Sequence, residues 1–555
     1  MIYAVEKLLR YGVQRKLRQS LSRLLQVAKS CQDTQHQTLQ RILGLNRDSD
    51  FSRDHGLNAV GHPRELQRAL PVGNYERVAP YIEQVKQGRC EALLGPRNRP
   101  LMFALTSGTT NSSKFIPVTK QFLADYRRGW QVWGIRAFDA HPILHRSSIL
   151  QICSDYDKFR TPTGIPCGNI SGLVQSMHNR VIQRFYAVPA ATSRIPDSRQ
   201  RLYATLLHSL KRSDLGLITT ANPSTLVQLF RVLREDAESL IRDLHDGVKA
   251  SRFPDGSGVA PDVGANPRRA RELEQLFDRT GQLAPREVWP QLQLAAVWTG
   301  GTAAAYLPML RRELGDLPIC DHGLHASEGR MTIPLEDETS SGLLDIQSHF
   351  FEFIPESEHG SDDPVVLLPH ELEVHQKYYI VLTTCSGLVR YDILDVVECT
   401  GFLGTTPLLK FLHKGSHISN LTGEKLTELH VLQCVSEAVR RFGFELGEFT
   451  VAPRWGDPPG YVMLLNRDEL PVQVCRDQLG EEIDRLLGES NVEYQEKRRT
   501  GRLASLSVEP VPEEAWSRYV NSRYAPLGGS IEQAKHCYLV PRLEFVEEMT
   551  TVSVT

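Results

Sequence analysis

Strand-like apolar runs alternate with helical stretches along much of this chain, and this alternation restricts its fold most. Four such runs are "SSILQIC", "LGLITT", "LAAVWT" and "YYIVLTT". Strands that alternate with helices form sheets with helices packed against them, so the pattern predicts an α/β fold. A clean helical period from Leu226 to Leu244 predicts core scaffolding between two of the runs. Ligands of such folds bind at the ends of the strands.

The pattern shortens after about residue 415 into a helix, a strand and a helix: "KLTELHVLQCVSEAVRRF", "GYVMLLN" and "VQVCRDQLGEEIDRLLG". A chain of 555 residues is too long for one typical domain. We therefore predict a large domain of several layers over residues 1–415 and a smaller, mobile α+β domain over residues 416–555. The Gly- and Pro-rich stretch 251–267 is interpreted as a surface loop, because a buried strand resumes after it.

Composition excludes several classes of protein. Lys and Arg number 64 and Asp and Glu number 66, so net charge gives no argument for a nucleic-acid partner. The ten cysteines contain no C-x-x-C pair, which fits reduced thiols in a cytosol. No apolar run approaches the roughly 18 residues of a spanning helix. The amino terminus also lacks the compact apolar region of a signal peptide. We expect a soluble protein of the cytoplasm.

Residues 1–30 carry leucines and valines on one helical stripe and lysines and arginines on the opposite side. A basic amphipathic helix of this kind can lie on a membrane surface. The alternative is a helix docked on the protein with a solvated basic face. We favour the docked helix.

The stretch "LTSGTTNSSKFIPVT", residues 105–119, follows the strand-like run "LMFAL". The hydroxyls of Ser107, Thr109 and Thr110 and the backbone N–H groups near Gly108 suit a polyphosphate, which needs many donors in a small space. Lys114 adds a positive charge. The Walker pattern is absent, and a loop rich in Ser and Thr is by itself more often an ordinary turn.

This loop resembles the phosphate loop of the adenylate-forming superfamily, and most closely the form found in the auxin-responsive acyl-acid-amido synthetases, the Gretchen Hagen family. Further matches follow in the order of that family. Before the loop stand "LNRDSDFSRDHGL" and "LPVGNYERVAPYIEQVKQGR". After it come "GIPCGNISG", "ANPSTL", "WTGG", "HASEG", "YDILDV", "GEKLTE" and "EQAKH". The resemblance runs from about residue 40 to residue 550, and it implies an adenylate-forming large domain with a smaller carboxy-terminal domain.

The resemblance also implies roles for individual residues in binding ATP. Glu328 would hold Mg²⁺ against the phosphates, as suits a hard oxygen ligand, and Ser327 would contact the nucleotide beside it. Gly300 and Gly301 would let the backbone close on the adenine. Asp395 would accept both ribose hydroxyls, a task for an acceptor-only side chain.

Two lysines have roles that are implied by the resemblance alone. Lys535 occupies the place of a carboxy-terminal lysine that neutralises charge growing on the α-phosphate during adenylation. Lys414 stands at the inter-domain hinge, where the family has an arginine, and it keeps the charge without the bidentate fork.

The chain departs from the family pattern at several of these places. Asp395 lies in the slot of Y-R-V-G-D, but this chain reads Tyr391-Asp392-Ile393-Leu394-Asp395. Leu324 replaces an aromatic residue that stacks on adenine. The other departures are in the phosphate loop and around Lys535: Asn111, Ser112, Ala534 and Cys537. Their sum allows weakened ATP binding or a divergent substrate.

The resulting hypothesis is an ATP- and Mg²⁺-dependent ligase. A small carboxylic acid would form an acyl-adenylate, and an amine, in the first place an amino acid, would displace AMP to give an amide. Two alternatives stay open. One is an acyl-CoA synthetase, in which a thiol captures the adenylate. The other is a nucleotide-binding member of the fold with reduced catalysis. The spacing of His322 and His325 does not match a zinc pattern.

Overall fold

The structure is a computed structural model that describes most of the chain. The described residues are 2–106, 114–177, 180–195, 197–253, 262–361, 363–415, 418–419, 421, 424, 426–499, 501–524 and 536–551. The chain divides into two compact units, Met1–Phe411 and Leu412–Thr555.

The α-helices are listed in chain order: α1 (Ile2–Val27), α2 (Cys31–Asn46), α3 (Asp50–Asp54), α4 (Pro63–Ala69), α5 (Tyr75–Lys86), α6 (Lys120–Ala140), α7 (Ile170–Ser176), α8 (Arg180–Gln183), α9 (Ser198–Leu210), α10 (Pro223–Glu235), α11 (Ala237–Asp246), α12 (Pro267–Thr280), α13 (Pro285–Val288), α14 (Leu307–Leu314), α15 (Glu428–Phe442), α16 (Arg476–Ser490), α17 (Val492–Arg499), α18 (Glu513–Tyr524) and α19 (Phe545–Thr550).

The strands are β1 (Pro100–Thr106), β2 (Lys114–Thr119), β3 (Ser148–Gln151), β4 (Phe159–Arg160), β5 (Pro166–Gly168), β6 (Leu215–Thr219), β7 (Leu294–Ala296), β8 (Ile319–Cys320), β9 (His325–Ala326), β10 (Gly329–Arg330), β11 (Thr332–Ile333), β12 (Ser341–Leu344), β13 (Phe350–Pro355), β14 (Lys377–Thr383), β15 (Tyr391–Leu403), β16 (Thr406–Lys414), β17 (Ile418–Ser419), β18 (Leu426–Thr427), β19 (Phe449–Arg454), β20 (Gly460–Asn466) and β21 (Ser507–Val511).

The first unit contains a parallel sheet of order β3-β6-β7-β8 whose two faces are both covered. Ile218 and Ala295 pack into a core with helices α9 to α12, and Leu217 and Leu294 pack into another core with α1 and α6. Parallel strands that are buried on both faces read as continuous apolar runs. This sheet therefore explains the runs in the sequence, and the predicted α/β fold is confirmed.

Two further sheets of the first unit surround the candidate site. One has the order β2-β1-β5-β4 and begins with the antiparallel hairpin of β1 and β2. The other has the order β11-β12-β16-β15-β14-β13. The boundary between the two units falls within β16.

Local capping fixes where the helices near the site begin. Asn74 caps α5, because its side chain accepts a hydrogen bond from the backbone N–H of Glu76 at 3.0 Å. Thr119 caps α6 by accepting from the N–H of Phe122 at 3.3 Å. Such caps satisfy N–H groups that have no partner within the helix. Strand β2 consequently passes directly into α6.

The helical period between Leu226 and Leu244 belongs to two helices, α10 and α11. Asp236 separates them, because its backbone leaves the helical region at φ −104° and ψ 18°. The apolar stripe continues across the break, so the two helices share one core.

The second unit contains a three-stranded sheet of order β19-β20-β21. Its core packs Ala452 and Leu464 of the sheet against Trp516, Cys537 and Phe545. The mixture of this sheet with α15 to α19 is an α+β arrangement.

The cysteines are all free thiols, and nine of the ten are buried. Cys475 is the exposed one. Burial raises the pKa of Cys31, Cys320 and Cys385 to about 12. Among the helices of the described residues, none is long and apolar enough to cross a membrane.

Candidate nucleotide and acyl site

The parallel sheet presents the carboxyl ends of β7 and β8 side by side, and the loops that follow them carry several candidate residues. Asp321, directly after β8, accepts hydrogen bonds from the N–H and the hydroxyl of Thr299, in the loop after β7. It also accepts from the N–H of Gly323 at 2.6 Å. Burial raises the pKa of Asp321, while these donors lower it. One buried carboxylate thus fastens the two loops at the edge where α/β folds bind ligands.

Both glycines that are candidates for the adenine site lie in the loop after β7. Each position requires glycine for a different structural reason. Gly301 has φ +58°, a left-handed conformation that favours glycine. At Gly300 a Cβ would lie 3.3 Å from Nε1 of Trp298 and 3.5 Å from the carbonyl of Phe411. Gly301 is therefore required by the backbone, whereas Gly300 keeps a tightly packed loop clear of a side chain.

Ser327 and Glu328 form the tip of the hairpin of β9 and β10. Ala326 pairs with Gly329 across the hairpin, so Ser327 and Glu328 are the two residues between the paired strands. The hydroxyl of Ser327 donates to the carbonyl of Leu105 at 3.3 Å. A Cβ at Gly329 would lie 2.5 Å from the ring of His349, so glycine lets the hairpin pack closely there. The tip is consequently tied to β1, the strand that precedes the predicted phosphate loop.

Glu328 is 6% exposed, and its charge influences the pKa of two tyrosines. Burial raises the pKa of Tyr75, and the Glu328 carboxylate adds to that rise. Burial also raises the pKa of Tyr391, again with Glu328 as the largest charge contribution. A negative charge makes a phenol harder to ionise, so the Glu328 carboxylate acts on both tyrosines in the same direction as burial.

Lys114 begins β2 and pairs with Thr106, the last residue of β1. Its Nζ lies 5.7 Å from the centre of the Tyr75 ring. The hydroxyl of Tyr75 in turn accepts a hydrogen bond from the N–H of Phe115 at 2.9 Å. Lys114 thus borders Tyr75. The structure thus links both predicted residues to the same hairpin, Lys114 as part of β2 and Glu328 through its neighbour Ser327.

Several predicted residues lie outside the described residues. Ser107, Gly108, Thr109 and Thr110 belong to residues 107–113, as do the departures Asn111 and Ser112. Lys535 and Ala534 belong to residues 525–535. Their roles stay predictions.

Asp395 is 5% exposed and lies where β15 bulges away from β14. Tyr391, at the start of β15, shares the neighbourhood of Glu328 and forms a bridge with Gly73, two residues before Tyr75. Lys414 is the last residue of β16 and belongs to the second unit. Leu324 is buried in the core of the first unit.

The two histidines near the hairpin belong to a buried aromatic and cationic cluster. His322 is fully buried, and burial lowers its pKa to about 4. The centres of the His322 and His325 rings are 4.7 Å apart. Arg330, also fully buried, lies 4.6 Å from the centre of the Trp130 ring. This cluster supports the inner side of the hairpin that carries Glu328.

Sequence reasoning did not single out Tyr75, Asp321 or Thr299. Tyr75 lies in "LPVGNYERVAP", a stretch that contributes to the family resemblance but does not itself point to Tyr75. The only local feature of Tyr75 in the sequence is its position just after the capping residue Asn74. Its contact with Phe115 joins residues 40 positions apart, so the sequence does not indicate it. Asp321 had the signal of a carboxylate directly after an apolar run, which is typical of ligand-binding edges.

Models of protein families match three parts of the chain. Residues 20–319 match the GH3 family N-terminal domain, residues 342–414 the GH3 family central domain, and residues 429–544 the GH3 family C-terminal domain.

Curated relatives match over most of their length. The chain is 24% identical over 539 residues to the jasmonoyl–L-amino acid synthetase JAR6 of Nicotiana attenuata, covering 92% of this chain and 91% of that protein. It is 26% identical over 541 residues to the indole-3-acetic acid-amido synthetase GH3.8 of Oryza sativa subsp. indica, covering 92% and 87%. Among solved structures, the GH3.15 acyl acid amido synthetase is similar with a TM-score of 0.82 at 21% identity over 95% of each chain.

Proposed function

This chain belongs to the GH3 family, and we propose that it is an ATP-dependent acyl-acid amido synthetase. In the first half-reaction, a carboxylate oxygen of the acid attacks the α-phosphorus of ATP, and pyrophosphate leaves. In the second, the amine of an amino acid attacks the acyl carbon and AMP leaves. The adenylate is needed because a free carboxylate is a poor electrophile, whereas AMP is a good leaving group.

Within the first unit, the residues predicted for the site bind the nucleotide. Lys114 and the loop from Ser107 to Thr110 hold the phosphates by charge and by many donors. Asp395 accepts the ribose hydroxyls. Gly300 and Gly301 line the adenine, and Ser327 contacts the nucleotide beside Glu328.

Glu328 fits a magnesium ion that ATP brings with it. Mg²⁺ in such sites is held by one or two carboxylates together with substrate phosphates, and it keeps several waters. One buried carboxylate, on a hairpin tip tied to the strand before the phosphate loop, suits this requirement. When bound there, the ion neutralises phosphate charge. Lys114 contributes a second positive charge.

The second unit supplies Lys535 for the first half-reaction, with Lys414 at the hinge. A lysine placed on the growing charge at the α-phosphate stabilises the adenylation transition state. In the second half-reaction the small domain withdraws this lysine while the amine attacks. Alternation of the small domain therefore gates the two steps.

The observation that carries this proposal is the hairpin tip of Ser327 and Glu328, which the Ser327 hydroxyl ties to β1, while Lys114 begins the paired strand β2 beside Tyr75. A carboxylate and a cation on these elements suit a magnesium ion and a triphosphate. Relatives named as amido synthetases, similar over more than 85% of both chains, support the amide as product. The free thiols support a cytoplasmic location.

The test is exchange of labelled pyrophosphate into ATP with a panel of carboxylic acids, on the full chain. We expect exchange with at least one acid, and amide formation when amino acids are then added. Capture by coenzyme A instead of amino acids would identify an acyl-CoA synthetase. ATP binding without exchange for any acid would identify a non-catalytic nucleotide-binding protein.

A further inference from the structure

Strand β15 carries an irregularity next to Asp395. Tyr379 of β14 pairs with Val396, and Val381 pairs with Asp392. One residue of β14 therefore faces three residues of β15, which are Ile393, Leu394 and Asp395. Bulges of this kind re-aim a side chain and occur often beside active sites. Asp395 is the last residue of this bulge, and regular pairing resumes at Val396.

Leu394, in the middle of the bulge, has φ +60°. A bulky residue in the left-handed region is an outlier, because its Cβ crowds the following carbonyl oxygen. Such a conformation persists only where the surroundings hold it. In the family pattern Y-R-V-G-D this slot is a glycine, which adopts positive φ without strain. This chain keeps the positive φ at position 394 but has leucine there instead of glycine.

Asp392 supplies the contact that holds this backbone. Its Oδ1 accepts a hydrogen bond from the N–H of Leu394 at 2.7 Å. Its Oδ2 accepts one from Nε2 of His359, also at 2.7 Å. The backbone N–H of Asp392 donates to the carbonyl of Gly73 at 2.8 Å. Both carboxylate oxygens and the main chain of Asp392 are thus engaged.

His359 is itself fixed in orientation. Its ring stacks on the ring of Tyr379, with 3.6 Å between the centres and 16° between the planes. The side chain of Asp392 is only 11% exposed and that of His359 26%, so water competes weakly for their hydrogen bond. The stacked imidazole therefore holds the carboxylate in the orientation that reaches Leu394.

We propose that Asp392, oriented by His359, is a positioning residue that holds Leu394 in the left-handed conformation and so aims Asp395 at the ribose of ATP. This inference rests on the proposed function, because it takes Asp395 as the ribose acceptor. It explains the departure from the family pattern as a linked pair of changes: the aspartate at 392 provides the restraint that the leucine at 394 requires.

The test measures the affinity of the full chain for ATP and for 2′,3′-dideoxy-ATP by calorimetry. The wild-type protein should prefer ATP by about 10- to 100-fold, the range expected for hydrogen bonds to a charged group. Asp395→Ala should abolish this preference. Asp392→Ala should weaken ATP binding by about 5- to 30-fold, and leave the affinity for dideoxy-ATP within about twofold of wild type.

Rescue separates positioning from a general loss of structure. Asp392→Asn keeps an acceptor for the N–H of Leu394 and should stay within about threefold of wild type for ATP. Leu394→Gly added to Asp392→Ala should recover most of the preference for ATP, because glycine needs no restraint to adopt positive φ. Glu398→Ala is the matched control: Glu398 lies on β15 and interacts with a different histidine, His375. It should leave both affinities unchanged.

The possible failures are distinguishable. If wild type binds ATP and dideoxy-ATP equally, or binds neither, the ribose contact of the proposed function is refuted, and this inference with it. If Asp395→Ala loses the preference but Asp392→Ala keeps it, the inference alone is overturned. Failure of Leu394→Gly to recover the preference in a double variant that melts like wild type would also overturn it.

Discussion

The carboxylate of Asp321 accepts hydrogen bonds from the N–H and the hydroxyl of Thr299, at 2.7 and 2.8 Å. These bonds join the loops after two neighbouring parallel strands, β7 and β8. The loop after β7 carries Gly300 and Gly301, and the loop after β8 leads into the hairpin of Glu328. The relative placement of the two loops thus depends on one side chain.

Asp321→Ala should lower the free energy of unfolding by about 2–4 kcal/mol, because it leaves buried N–H groups of Thr299 and Gly323 without their acceptor. Asp321→Asn should cost less, since its amide oxygen still accepts. Urea denaturation measures both. Asp246→Ala, at an exposed carboxylate, is the control and should change stability by less than about 0.5 kcal/mol. Equal effects of the variants at 321 and 246 would contradict the role of Asp321.

Ser107→Ala combined with Lys114→Ala should weaken ATP binding by about 10- to 100-fold, because charged and hydroxyl donors to phosphate are lost. The fold should be intact, since Lys114 lies at the edge of a hairpin. Lys120→Ala is a matched control, because Lys120 is exposed at the start of α6. Calorimetry with ATP provides the measurement. Equal affinities of the double variant and the control would remove this loop from the nucleotide site.

Glu328→Gln should abolish pyrophosphate release at ordinary Mg²⁺ concentrations and regain part of it at high Mg²⁺. The lost charge lowers the affinity for the ion, and mass action then compensates. A titration of initial rate against Mg²⁺ measures the shift. A rate curve that coincides with wild type would assign the ion to another carboxylate.

Lys535→Ala should slow formation of the acyl-adenylate by about 100- to 1,000-fold, the usual effect of removing one positioned donor in a transition state. Conversion of a supplied acyl-adenylate to amide should stay within about threefold of wild type. The two half-reactions are measured separately on the same variant. Equal losses in both steps would contradict domain alternation, and no loss in either would remove Lys535 from the mechanism.

Protein stability should decrease as the pH falls from about 6.5 towards 4, partly because of His208. Burial lowers the pKa of His208 to about 4. The unfolded chain, with an ordinary histidine pKa, takes up a proton in this range that the folded chain does not. His208→Gln should therefore reduce the pH dependence of unfolding by about 1.2 kcal/mol per pH unit between pH 6 and 5. Denaturant unfolding at several pH values measures this slope.

The sequence predicted elements whose signal is local. The runs that form β3, β6, β7 and β14 are apolar because these strands are buried. Their composition therefore indicated that they lie in the interior of the protein. The break at Asp236 was missed, because the apolar spacing of α10 continues in phase through α11 and the stripe alone does not reveal the interruption.

The sequence indicated which residues belong to the candidate site, but not how they are arranged. Glu328 and Asp395 were found by resemblance, but the contact between Tyr75 and Phe115 joins distant parts of the chain, and no local pattern indicates it. The left-handed backbone at Leu394 was also hidden, because leucine is a residue type that rarely adopts it. Only the pairing register of β14 and β15 reveals the bulge.

The burial of nine thiols beside one exposed thiol has a practical consequence for labelling. A maleimide reacts with accessible thiolates, and burial both blocks access to the other cysteines and, at several of them, disfavours ionisation. Cys475 is therefore a built-in attachment point for one dye on the second unit. A fluorescent reporter on that unit can be introduced into the native chain without replacing a cysteine.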